Sequence, residues 1–179
     1  MSRVHVSLLL IGVLLIGVLV PGLASCASPA GRYQQALVKE QQGAPCFGVP
    51  AIRTGDAPAK ITGVSVMEVG SGGAAIWERD FLRDGQSEPT LAPDQCLRYG
   101  DGGTSPPPRL QPGKRYQVEM WGSAPAQRGA PQSRWFNGYF CVVDAGGVPK
   151  INAVQQGKDG ALRWDTCGST AQPVGQAGR

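Results

Sequence analysis

Five cysteines, one histidine and a close pair of carboxylates are the residues of this chain best suited to chemistry. Glu78 and Asp80 sit two apart in a stretch that alternates like a strand. They would therefore share one face, about 7 Å apart by strand rise, a spacing open to glycosidase-like acid/base work. Arg79 and Arg83 lie beside them, and a solvated, charge-paired strand face is the favoured reading. The only histidine, His5, precedes a long apolar run. If that run is removed, no Ser-His-Asp or Cys-His pair can form. The cysteines show no CxxC or Cys/His spacing for zinc. The glycine runs at 70–73 and 146–147 lack the strand–glycine–helix setting of a phosphate loop. The residues thus point to a protein that is not an enzyme and takes no metal or small-molecule cofactor.

The elements that must carry these residues begin with the N-terminus. Arg3 supplies a positive start, residues 8–20 form an unbroken apolar or glycine run, and Pro21-Gly22 ends it. Thirteen residues fall short of the roughly 20 that cross a bilayer, but they suit a secretory signal. Leu23-Ala24-Ser25-Cys26 matches the lipobox of bacterial lipoproteins. Cleavage before Cys26 would leave that cysteine acylated, and two or three chains make such an anchor practically permanent. Ala27-Ser28 follow the cut with no Asp, which points to the outer membrane, facing the periplasm. The expected organisation is a signal peptide over 1–25, a lipidated N-terminus and tether over 26–44, a β-domain over 45–167 and a flexible tail over 168–179. Within the tether, residues 32–42 could form a short helix, although they lack a good apolar face.

After removal of the signal, 16 of the 17 Lys and Arg and all 13 Asp and Glu remain, a net charge of about +3. No basic run resembles a nucleic-acid groove. Four cysteines remain besides Cys26: Cys46, Cys96, Cys141 and Cys167. In an oxidising compartment they suggest two disulfides. Three pairings are possible. Cys46–Cys96 with Cys141–Cys167 is favoured, because each pair closes a local unit.

From Pro45 onward the pattern is β. Residues 60–69 put Val64 and Val66 on one face and Met67 and Val69 on the other, a switch expected of a bulge. Residues 75–81 place Trp77, Arg79 and Phe81 together. Residues 115–121 alternate Tyr116, Val118 and Met120 against Arg115, Gln117 and Glu119. Residues 134–143 do the same with Phe136, Gly138, Phe140 and Val142. Residues 150–155 and 161–167 flank a Gly-Lys-Asp-Gly turn. Residues 100–109 and 122–133 read as loops. Short strands between Gly/Pro turns predict an all-β chain, an immunoglobulin/fibronectin-like β-sandwich bonded by disulfides. The run Leu110-Gln111-Pro112-Gly113 leading to Tyr116 predicts a tyrosine corner, with Tyr116 architectural. Trp121 and Trp135 stand opposite the apolar faces of their strands, which makes an exposed aromatic near arginine an interface candidate. Core packing is expected for most of Trp77, Trp121, Trp135 and Trp164.

Several of these pieces recur in order. They are the lipobox, Cys46-Phe47-Gly48-Val49-Pro50, the Gly63-Val64-Ser65-Val66 strand, Trp77, 91–97 with Cys96, 110–118 with Tyr116, and Tyr139-Phe140-Cys141-Val142. The order, over roughly residues 20–143, resembles a family of type VI secretion immunity periplasmic lipoproteins. The long Gly/Pro loops and the C-terminal hairpin carrying Cys167 depart from it. The resemblance implies a protein partner, a secreted toxin that the domain neutralises by occlusion. The alternatives are an envelope assembly lipoprotein that binds a resident protein or peptidoglycan, and a hydrolase using Glu78 or Asp80. The residues name no partner-binding set.

Overall fold

Strand-forming alternation dominates the computed structural model, which describes residues 32–50, 58–93, 95–102, 106–125 and 131–168. Eleven strands follow one another among these residues: β1 Tyr33–Gln35, β2 Leu37–Gln41, β3 Ala44–Gly48, β4 Ala59–Glu68, β5 Ala75–Asp80, β6 Thr90–Leu91, β7 Cys96–Arg98, β8 Arg115–Ala124, β9 Gln132–Asp144, β10 Pro149–Gln156 and β11 Leu162–Arg163. A 3-10 turn, Trp164–Cys167, ends the series, and the described residues contain no α-helix. The chain is all-β.

The main sheet has the order β11-β10-β9-β8-β4-β5, with β1 added beside β9 and β6 beside β4. A second sheet, β2-β3-β7, has three strands. All pairings are antiparallel except β1 with β9. The two sheets share one apolar core. Val64, Val66, Val118, Met120, Phe136 and Phe140 from the main sheet meet Phe47 from the small one. The Phe47 ring lies 5.7 Å from Phe140 and 6.4 Å from Trp77, centroid to centroid. Tyr116 stacks on Phe140 at 5.3 Å.

The expected face switch in β4 is a register shift between Val66 and Met67 against β5, and a second shift lies between Ile61 and Gly63 against β8. Tyr116 closes the expected corner, its hydroxyl accepting the Gln111 backbone N–H at 2.9 Å. Cys46 is bonded to Cys96 and Cys141 to Cys167. The first pair ties β3 to β7, and the second pins the 3-10 turn to β9.

Three expectations are corrected. The stretch assigned to the tether does not stay outside the domain. Residues 33–41 form β1 and β2 rather than a helix, and both pair with strands of the domain. Ala36 is buried between them, packed over the side-chain-free Gly138. The loop expected over 122–133 is shorter, because β8 runs to Ala124 and β9 starts at Gln132. The second arm of the C-terminal hairpin is only Leu162–Arg163, and the chain then coils so that Cys167 reaches Cys141. The lipobox with Cys26 and the tail over 169–179 lie outside the described residues.

Candidate functional site

Strand alternation sends odd-numbered residues of β8 and β9 away from the core. They form the outer face of the main sheet, and the register arranges them in rows across the strands. One row runs Asp80, Gly63, Trp121, Trp135, Tyr33. The next runs Glu78, Ser65, Glu119, Asn137, Gln35. Beyond it come Ala75, Met67, Gln117, Tyr139 and Val154. An aromatic strip thus lies beside a polar one.

Trp121 and Trp135 lean on each other, with centroids 6.2 Å apart and planes tilted by 32°. Both are half-buried, and Tyr33 at the end of the row is 61% exposed. Of the four tryptophans, only Trp77 belongs to the core. The Trp121 ring covers Gly63, where no other residue would leave it room. In the polar row, Gln117 donates to Glu119 at 2.8 Å, while the Asn137 Oδ1 is shielded from solvent without a hydrogen-bond partner. A satisfied interior seldom leaves such an atom alone.

One end of the face is already covered. Cys141, Cys167 and Val154 make a small second core with Tyr139, Leu162 and Trp164 around them. Trp164 meets Tyr139 edge-on at 6.1 Å, and the Arg115 guanidinium lies 4.8 Å over its ring. Beside this cluster a groove of about 640 Å³ separates the β1–β2 junction from the end of β10. Gln35, Ala36, Leu37, Tyr139 and Val154 are among its walls, and Gln35 reaches across to the Val154 carbonyl at 3.4 Å.

Glu78 and Asp80 do share the outer face, but each is engaged at the sheet edge. Glu78 pairs with Arg83 at 3.0 Å, and Asp80 Oδ1 accepts the Arg83 backbone N–H at 3.0 Å, closing the turn after β5. Hydrogen bonding to Glu78 raises the Arg83 guanidinium above its ordinary value. Arg79 is the residue whose role the sequence hid. It points into the core side, 4% exposed, and binds Asp84 at 3.1 Å, the Asp101 carbonyl at 2.6 Å and Gln86 at 2.6 Å. Its guanidinium lies 5.2 Å from the Phe81 ring. With a bond from each of its three nitrogens, it ties together the loops after β5 and β7.

No group of His, Cys, Asp and Glu among the described residues is arranged to hold a metal ion. Among the same residues, no helix is long and apolar enough to cross a membrane. The outer face offers stacking between Trp121 and Trp135 and hydrogen-bonding groups at Gln117, Glu119 and Asn137. Compared with family models, curated proteins and solved structures, the chain matches none.

Proposed function

We propose that this chain is a lipid-anchored, periplasm-facing binding protein that neutralises a cognate type VI secretion toxin by occlusion. The observation that carries the reading is the Tyr33–Trp135–Trp121 row, with Tyr33 exposed and both tryptophans half-buried, on a face that the second sheet does not cover. Tryptophan and tyrosine at the centre of a rigid surface are the usual anchors of protein recognition. Two disulfides hold that surface in shape before binding, which lowers the ordering cost of association. The motif order from the lipobox to Tyr139-Phe140-Cys141-Val142 supports the choice of partner, and the lipobox supports anchoring at Cys26. The Tyr116 corner and the shared core of two sheets support an immunoglobulin/fibronectin-like sandwich as the scaffold.

Sibling competition tests the function. A deletion strain should be killed by its armed parent only when the type VI apparatus fires, and re-expression should restore survival. A Trp135→Ala chain should protect less well, while Glu78→Gln should protect like the wild type. Equal survival of the deletion strain and the wild type beside an armed parent would turn the reading to an envelope assembly lipoprotein. Loss of protection with Glu78→Gln would favour a hydrolase. Separately, Cys26→Ser should abolish lipid labelling and membrane retention.

A further inference from the structure

Two arginines stand side by side where β1 joins the main sheet. The Trp135 N–H donates to the Arg32 carbonyl at 2.8 Å, and the Ala36 N–H donates to the Asn137 carbonyl at 2.9 Å. These bonds hold the parallel ladder from Tyr33–Trp135 to Gln35–Asn137, and the Arg32 backbone enters it next to Arg134, one step before the Tyr33–Trp135 pair. Arg32 lies in a bend at the mouth of the ladder, its guanidinium 5.8 Å from the centroid of the Tyr33 ring, and its backbone runs about 4.8 Å from that of Arg134. Across β9, the position opposite Arg134 is Gly122, which has no side chain to share the space. Like charges directly opposite each other destabilise a sheet. Neither guanidinium has an ion-pair partner among the described residues. Arg32 Nε and Arg134 Nη1 are both shielded from solvent, and neither has a hydrogen-bond partner. A buried donor left in this state is costly, more so when charged.

We propose that Arg32 and Arg134 form an oxyanion site whose ligand is a phosphate group. Guanidinium forks match phosphate oxygens in paired, charge-assisted bonds. A phosphate offers enough oxygens to serve both arginines at once, and its charge removes their mutual repulsion. The group could come from inorganic phosphate or from a lipid headgroup; only the headgroup source rests on the anchor at Cys26, and neither depends on toxin binding.

The test uses the full chain in neutral detergent micelles, with thermal unfolding followed by circular dichroism. One arm compares inorganic phosphate with chloride at equal ionic strength. The other compares micelles doped with phosphatidylglycerol or with phosphatidylcholine. At about ten times the dissociation constant, the melting temperature should rise by about 3–6 °C. A rise with inorganic phosphate identifies the free ion, and a rise only with phosphatidylglycerol identifies the headgroup. Arg32→Gln and Arg134→Gln should each lose the rise, while Arg163→Gln, at an exposed pair with Asp159, should keep it. The arginine Nε signals of the unmodified chain, followed by NMR, give the same readout without any variant: two should move with the ion. No rise in either arm with unmoved Nε signals, or a rise retained by both glutamine variants, overturns the proposal.

Discussion

The indole of Trp121 lies on Gly63, its register partner in the neighbouring strand, so closely that a Cβ at position 63 would overlap Cζ2 and Cε2 of the ring. Gly63→Ala should push the indole off β4 and break its contact with Trp135. The expected cost is about 1–3 kcal/mol, as for other overpacked sites. Near-UV circular dichroism should lose tryptophan signal, and the urea midpoint should fall. An unchanged near-UV spectrum would show that the ring is not seated on Gly63.

Arg79 and Arg83 make neighbouring ion pairs in opposite surroundings. The Arg79 side chain is 5% exposed and that of Arg83 is 66% exposed. Asp84→Ala strands a buried charge and should destabilise the fold by about 2 kcal/mol. Glu78→Gln, which releases only the exposed Arg83, should leave the urea midpoint nearly where it was. Equal effects from the two substitutions would contradict the burial of Arg79.

High pH should attack the fold through Tyr99. Its hydroxyl donates to the Pro108 carbonyl at 2.9 Å, and burial, with Tyr116 nearby, pushes its pKa up to about 12. Burial likewise raises Tyr116. A tyrosine in the unfolded chain ionises near 10. The stability linked to Tyr99 is therefore fully present below about pH 10 and drains away as pH rises from there through about 12. Melting temperature measured across pH 9–12 should fall, and absorbance at 295 nm should show a late-titrating tyrosine that Tyr99→Phe removes.

The disulfides should differ in what they hold. They span sequence separations of 50 and 26 residues. Chain entropy alone assigns about 4 kcal/mol to Cys46–Cys96 and about 3.5 kcal/mol to Cys141–Cys167. Paired replacement of Cys46 and Cys96 by alanine should give the larger loss in urea titration. Replacing Cys141 and Cys167 should also free Trp164 from Tyr139, which a red-shifted tryptophan emission would report.

The strands legible from local pattern were those with one dry face. In β8, Tyr116, Val118 and Met120 alternate with polar residues and occupy the core as that alternation predicts. The turn before Tyr116 was equally plain, because proline and glycine fix its geometry. β1 and β2 were not legible. Tyr33, Gln34, Gln35, Lys39, Glu40 and Gln41 carry little apolar signal, and their pairing with β9 and β3 comes from contacts distant in sequence. Alternation places Arg79 on the face of Trp77 and Phe81, but its partners Asp84, Gln86 and Asp101 are assembled by loops and leave no local pattern. The candidate interface was half visible. Alternation put Trp121 and Trp135 on the outer face, but only cross-strand register sets them side by side with Tyr33.

Incorporation of residues 33–41 into the sheets shortens the leash. A tether over 27–44 could have paid out roughly 60 Å of extended chain. With the domain beginning at β1, the stretch between Cys26 and Arg32 can span only about 20 Å. For a chain lipidated at Cys26, the first strand would start within about 20 Å of the anchor. Such a domain would skim the bilayer rather than sweep the periplasm. A partner would then be intercepted within a thin layer at the membrane surface, and the number of anchored copies per unit of membrane area, more than their average concentration in the compartment, would govern capture.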